Sequence, residues 1–318
     1  MNSKLKTIKS RPRNEDLVLQ PLIIAAEGGR LYHYDFAKDR LGLVFEEEGK
    51  ETLMGLAKEG QCLYVGAKTR IYKLELNKNN FYKEVKSSRK FLKRKFSRRK
   101  RDADFHQMDI IDGYLYITAT GFNEIFKMDL GLNLVKYYKV KPPRRFFPIR
   151  YKWNYNHINN IFFHNDRFYV CLNWLTSTQY GPSGIAVLNE KMEELERFEY
   201  GWETHNFSII NNDKYVLCGT SGAIRKINHP HRSGLMVNGK LVFEHEPSSF
   251  FCKDFSMDDS FIYLVGGSVN KRDQRNKSCG VIFVLDRNYS LVKEKIFSDS
   301  GGFCGCLAPG KDLTKIPS

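Results

Sequence analysis

The chain has 318 residues, of which 42% are hydrophobic and 14% aromatic, and a formal net charge of +15. That length can bury a large core, and no apolar run approaches the roughly 20 residues that a membrane-spanning helix needs. The charged start, MNSKLKTIKSRPRNED, lacks the apolar centre of a secretory signal, so the expected location is cytoplasmic and the seven cysteines are expected to be free thiols.

The charge is unevenly placed. Residues 1–13 hold five Lys or Arg, residues 86–101 (KSSRKFLKRKFSRRKR) hold ten, and neither stretch has an acid. Setting those fifteen aside leaves 36 basic residues against 36 acids, so the body is neutral. We therefore expect a flexible basic tail over 1–16 and a single domain over 17–318 that carries a basic insertion at 86–101. A run of like charge is solvated, and it suits an anionic membrane surface or nucleic acid. The interleaved Phe91, Leu92 and Phe96 favour a docking role for it.

In chain order, PLIIAAEGG, RLYHYDF and RLGLVFEE read as three strands. A repeated phrase follows. ETLMGLAKEGQCLYVGAKTRIYKLEL starts at Glu51–Thr52, FHQMDIIDGYLYI carries His106, and NHINNIFFHNDRFYV carries His157. THNFSIINNDKYVL carries His205 and FCKDFSMDDSFIYLVGG carries Cys252. From Thr52 through the three histidines to Cys252 the steps are 54, 51, 48 and 47 residues. Each copy continues into further short strands; after His106 these are YLYITAT, EIFKMDL and LVKYYKV. Four strands in about 50 residues is the size of one β-propeller blade. Five copies are complete. The N-terminal strands lack a first strand, and GGFCGCLAPG near the C-terminus, with Cys304, supplies it. The predicted fold is an all-β, six-bladed propeller whose C-terminal first strand closes the ring and hides both edges. A five-bladed ring with ragged ends and a pair of β-sandwiches are the alternatives.

In a propeller the first strand of each blade runs along the central channel and starts at one face. Thr52, His106, His157, His205, Cys252 and Cys304 then surround one channel mouth. Clustered imidazoles and thiols find their commonest partners in metals or anionic ligands. His106, His157 and His205 are the expected catalytic metal ligands, with Cys252 as a fourth ligand or nearby thiol. Such donors favour zinc, copper, iron or manganese, and three His with one open position can activate water. Gln107, Asn159 and Asn206 are expected to bind substrate. So are Arg144, Arg145 and Trp153 of the entry loop KPPRRFFPIRYKWNYN, and Trp202 just before His205. A mouth of this composition suits an anionic small molecule or glycan. Two points stay open. The longer hairpin FFHNDRFYV leaves the direction of His157 undecided, and the histidines could simply line the ring, each bonded to a neighbouring blade.

The stretch His157-Ile158-Asn159 resembles an active-site element of the bacterial arylsulfotransferases, which are six-bladed propellers. The resemblance implies histidine as a transient sulfate acceptor, with His157, Asn159, His106 and His205 as working residues. INNIFFHNDRFYV also resembles the blade start of the gluconolactonase group, which implies a divalent cation at Asn159. Histidine-rich metal sites at the channel mouth are similar to those of propeller polysaccharide lyases. The leading expectation is a metal-dependent enzyme acting on a glycan or on a sulfate or phosphate ester. The alternatives are a non-enzymatic module that docks a phosphate-rich partner through basic loops, and a metal-free histidine nucleophile.

Overall fold

The structure, a computed structural model, describes residues 18–77, 82–94, 100–140, 155–176, 181–219, 233–245, 250–270 and 272–308. It contains six four-stranded sheets in which successive strands are hydrogen-bonded neighbours. Five of them follow the chain without interruption, with inner strands Leu53–Glu59, Phe105–Ile111, Ile158–His164, His205–Ile210 and Phe250–Met257. These head blades 2 to 6. Blade 1 is composite. Its strands Leu22–Ala26, Arg30–Asp35 and Arg40–Glu46 are joined by Phe303–Leu307, which pairs antiparallel with the first of them through Ile23–Leu307 and Ile24–Cys306. The six-bladed ring and its closure are as the repeat predicts. The basic tail lies outside the described residues.

The strands alternate, but not between core and water. In blade 1, Leu22, Ile24 and Ala26 pack against Tyr263, Val265 and Ile282 of blade 6. The intervening Ile23 and Ala25 pack against Leu53, Leu63 and Val65 of blade 2. A strand presents successive side chains to opposite faces, so an apolar run with no polar partner face, such as LIIAA, suits a blade buried on both sides. The same division gives one apolar cluster at each of the six blade-to-blade contacts. Polar residues are left to the outermost strands, such as Tyr82–Ser87, with four exposed positions in a row.

The basic insertion forms a short hairpin, Leu92–Arg94 with Lys100–Asp102, and its tip lies outside the described residues. Phe91 does not face a partner. It is 7% exposed and stacks edge-on against Phe105 and Phe126 of blade 3, at 5.6 and 5.1 Å between ring centres. The hairpin is thereby fastened to the body, with Ala103 donating to the Phe91 carbonyl at 3.2 Å.

The inner strands crowd the axis. A Cβ on Gly305 would lie 1.9 Å from the Met54 carbonyl oxygen, and one on Gly55 would lie 1.9 Å from that of His106. Backbone cannot yield there, because each carbonyl belongs to a strand pinned by its own blade. Gly305→Ala should therefore lower stability by at least the ~1–3 kcal/mol of an overpacked core, read as a drop in thermal midpoint. Gly42→Ala makes the control, since the nearest atom to a Cβ added there is the His33 carbonyl oxygen at 3.9 Å.

Candidate functional site

Every inner strand breaks register with the second strand of its blade at the same level. The breaks fall between Leu53 and Leu56, Phe105 and Met108, Ile158 and Asn160, His205 and Phe207, and Cys252 and Asp254. The sixth lies between Phe303 and Gly305, opposite Ala25 and Ala26. Such β-bulges insert one extra residue and re-aim the side chains around it. Met54, His106, Gln107, Lys253 and Cys304 come from these bulges, His205 leads into the one in blade 5, and all six line one cavity of about 230 Å³ at the channel mouth. His157 enters it from just ahead of the bulge in blade 4. It is held by a hydrogen bond from Asn173 N to its carbonyl at 3.3 Å and has φ of 49°, a left-handed backbone rare outside glycine.

One wall of the cavity is imidazole. The His106 ring lies 5.6 Å from that of His157 and 5.8 Å from that of His205. Trp174 packs beside His157 at 5.0 Å. His106 Nδ1 sits 3.0 Å from the Asp104 carbonyl and 2.9 Å from Thr120 Oγ1, and the Thr120 hydroxyl is itself given to the Ile158 carbonyl. A carbonyl can only accept, so Nδ1 carries the hydrogen and Nε2 is the basic nitrogen. Burial, together with His106, His157 and Lys253, holds His205 well below the ordinary histidine value of 6.5. It is a neutral imidazole at physiological pH.

The other wall is ionic. Lys253 Nζ lies 3.1 Å from Glu27 Oε1 and 3.3 Å from Cys304 Sγ, and 5.3 Å from the centre of the Phe251 ring. Thr52 Oγ1 donates to Glu27 Oε2 at 2.5 Å. Lys68 and Asn173 complete the rim. Asn173 is 4% exposed, and its Oδ1 has no hydrogen-bond partner among the described residues. A buried carbonyl left so is costly unless a ligand supplies a donor.

The floor is a polar belt across the channel. Buried Asp254 accepts from Phe255 N at 2.9 Å and Cys306 N at 2.8 Å, and from the side chains of Asn206 and Gln107. Burial pushes its carboxyl up to about 7 against the pull of those four donors. Asn160 Oδ1 accepts from Phe207 N at 3.1 Å. Below the belt a second cavity of about 470 Å³ opens at the opposite end.

The structure thus brings His106, His157, His205 and Gln107 to one cavity, with Thr52 and Cys304 beside them. Other expected residues stand elsewhere. Cys252 pairs with Gly266 above the bulge, and its side chain packs into the apolar contact between blades 5 and 6, 2% exposed. Lys253, the next residue, takes its place at the mouth. Asn159 is fully buried and donates to the Thr204 carbonyl at 2.9 Å, so His157 and Asn159 do not present a joint pair to the cavity. Asn206 belongs to the belt and the lower cavity. Trp202 packs against the apolar cluster between blades 4 and 5. Arg144, Arg145 and Trp153 lie outside the described residues. Among the described residues no group of three or more His, Cys, Asp or Glu is arranged to hold a metal ion. Lys253 was missed although its signal was present: Lys-Asp interrupts an otherwise apolar inner strand, FFCKDFSM.

No family model matches the chain, and no curated protein does. Among solved structures it is similar in fold to a protein of unknown function from Bacteroides caccae. The two share 10% identity with a TM-score of 0.59, over 91% of this chain and 98% of that one. Weaker likenesses include a chain of the nidogen–laminin complex (7% identity, TM-score 0.49, 90% and 97% covered) and virginiamycin B lyase from Staphylococcus aureus. The last shares 12% identity with a TM-score of 0.45, over 74% of this chain and 70% of that one.

Two outcomes follow from this geometry. Below about pH 6.5 the unfolded chain takes up a proton at residue 205 that the folded protein refuses, so this residue's contribution to folding stability falls as pH falls, opposite in sense to that of the raised Asp254 carboxyl. His205→Gln should flatten that fall by up to about 1.4 kcal/mol per pH unit, measured by denaturant unfolding at pH 5 to 7. Elemental analysis of the untagged protein tests the metal ligands expected from sequence. Near-stoichiometric zinc, copper, iron or manganese that disappears in the His106→Ala/His205→Ala double variant makes the imidazoles ligands. A wild-type protein that takes up none of these ions makes them metal-free groups.

Proposed function

We propose that the channel mouth binds a small anionic ligand and acts on it by proton transfer, without a resident metal. The observation that carries this reading is one cavity lined by three imidazoles and by the Lys253 ammonium, with His205 held neutral. A neutral, half-buried imidazole is a base ready at physiological pH, and a nearby ammonium compensates the negative charge of a ligand or of a transition state. His106, fixed by Thr120 and Asp104, presents its second nitrogen as a further acceptor or, once protonated, as an acid. The Asn173 Oδ1, without a partner among the described residues, favours a ligand that also donates a hydrogen bond. At about 230 Å³ the cavity is smaller than the ~300–1,000 Å³ typical of drug-sized ligands, which favours a compact carboxylate or a small phosphate or sulfate ester over a long glycan.

A second reading, docking of an anionic membrane or nucleic acid, draws support from the basic hairpin. Its root lies beside the mouth, where Asp104 N donates to the cavity residue Lys68 through its carbonyl at 2.7 Å.

Orthophosphate separates the two. It should raise the thermal midpoint of the wild-type protein in proportion to the logarithm of its concentration, and Lys253→Met should abolish the rise. A protein indifferent to orthophosphate, sulfate and small carboxylates sinks the cavity reading. Binding to anionic vesicles or nucleic acid that is lost on replacing 93–101 with a Gly/Ser linker would then carry the docking reading.

A further inference from the structure

Cys304 is unlike the other buried cysteines. The thiols of Cys171 and Cys218 are pushed up by burial to about 12, and those of Cys252 and Cys306 are pushed up by the same cause. Cys171 donates to or accepts from Thr204, and Cys252 packs in an apolar cluster. Cys304 instead has an ammonium 3.3 Å from its sulfur, and it lines the upper cavity although only 3% exposed. The ammonium is held there from the far side by Glu27, which Thr52 fixes in turn. A cation against sulfur in a partly enclosed pocket is the environment that turns a cysteine into a nucleophile. Independently, the unpartnered Asn173 Oδ1 in the same cavity marks a place where a ligand is expected.

We propose that Cys304 is a nucleophile of this cavity and attacks the acyl carbon of a small ester. The proposal rests on reading the mouth as an active site. In the step, the thiolate pair forms a C–S bond to the acyl carbon and the C–O bond breaks. The alkoxide leaves with its electron pair and takes a proton from water, and the acyl group remains on sulfur as a thioester. Water that loses its proton to neutral His205 then attacks the thioester. The products are a carboxylic acid and the regenerated thiolate, and the His205 imidazolium returns its proton to the hydroxide left by the first stage, so over both stages one ester and one water give one acid and one alcohol. Lys253 balances the thiolate before attack and the carbonyl oxygen during it.

The experiment uses the full chain and p-nitrophenyl acetate, whose leaving group is released as coloured p-nitrophenolate. Expected is a burst of colour and an S-acetyl group mapped to Cys304 by mass spectrometry. The burst is absent in Cys304→Ser. Lys253→Met slows acylation by about tenfold and moves its pH profile upward, and Lys253→Arg restores most of the rate. A purely structural Lys253 would not move that profile. Acetyl label on Cys62 or Cys279 with Cys304 unmodified overturns the proposal, as does a Lys253→Met protein with unchanged rate and profile. Orthophosphate stabilisation, read on Cys304→Ser, keeps the two ideas apart. Stabilisation without acylation of the wild type sinks the nucleophile and leaves the anion site standing. Acylation of Cys304 without any response to orthophosphate sinks the anion site and leaves the nucleophile.

Discussion

Each blade of this protein is apolar on both faces, and that single constraint organises everything else. A sheet with one buried face can stop at water. A sheet with two must find two neighbours, and six such sheets satisfy one another only by closing a ring. The strand Phe303–Leu307 is the piece that closes it, contributing Phe303 and Cys306 to the contact between blades 1 and 6 and a partner to Ile23 and Ile24. Area burial of this kind is the dominant favourable term in folding, and here it is divided among six comparable contacts instead of one central core.

The ring leaves its axis to other chemistry. Inner strands approach so closely that glycine is needed at residues 55 and 305. The bulges of all six lie at one level, and they turn His106, Lys253 and Cys304 into the channel. Polar groups placed there cannot all reach bulk water, so they bond to one another. Asp254, Asn206 and Gln107 make the belt, while Lys253 and Glu27 pair at 14% and 12% side-chain exposure. A partly buried ion pair is weak evidence for stability, because desolvation offsets most of its attraction. Its position against Cys304 and opposite three imidazoles gives it a use beyond stability.

Legibility in the sequence followed the same division. The blade count, the composite blade and the gathering of His106, His157 and His205 at one mouth were readable because a repeat of about 50 residues fixes equivalent positions. The errors arose at single residues. Cys252 was assigned to the mouth by counting from the preceding histidines, but blade 6 starts its inner strand earlier, at Phe250. Its bulge then selects Lys253. Asn159 is the residue left unpaired by the blade 4 bulge, yet its side chain turns to the Thr204 carbonyl and not to the cavity. Phe91 resembled an exposed anchor within a basic run, yet a ring that can reach Phe105 and Phe126 is more stable buried.

What the sequence determined by itself is the periodic part: strands of period two, turns between them, and five and a fraction copies that must close. Those features are local or repeated, so propensity and spacing suffice to specify them. What only the tertiary structure decided is the identity of the cavity wall. Glu27 comes from blade 1, Thr52 from the entry to blade 2, Asn173 from blade 4, Lys253 from blade 6 and Cys304 from the closing strand. They are scattered over more than 270 positions of the chain, and no pattern along it links them. They meet because ring closure brings the two ends of the chain into one sheet and because a one-residue bulge, set by backbone pairing, chooses which neighbour faces the channel.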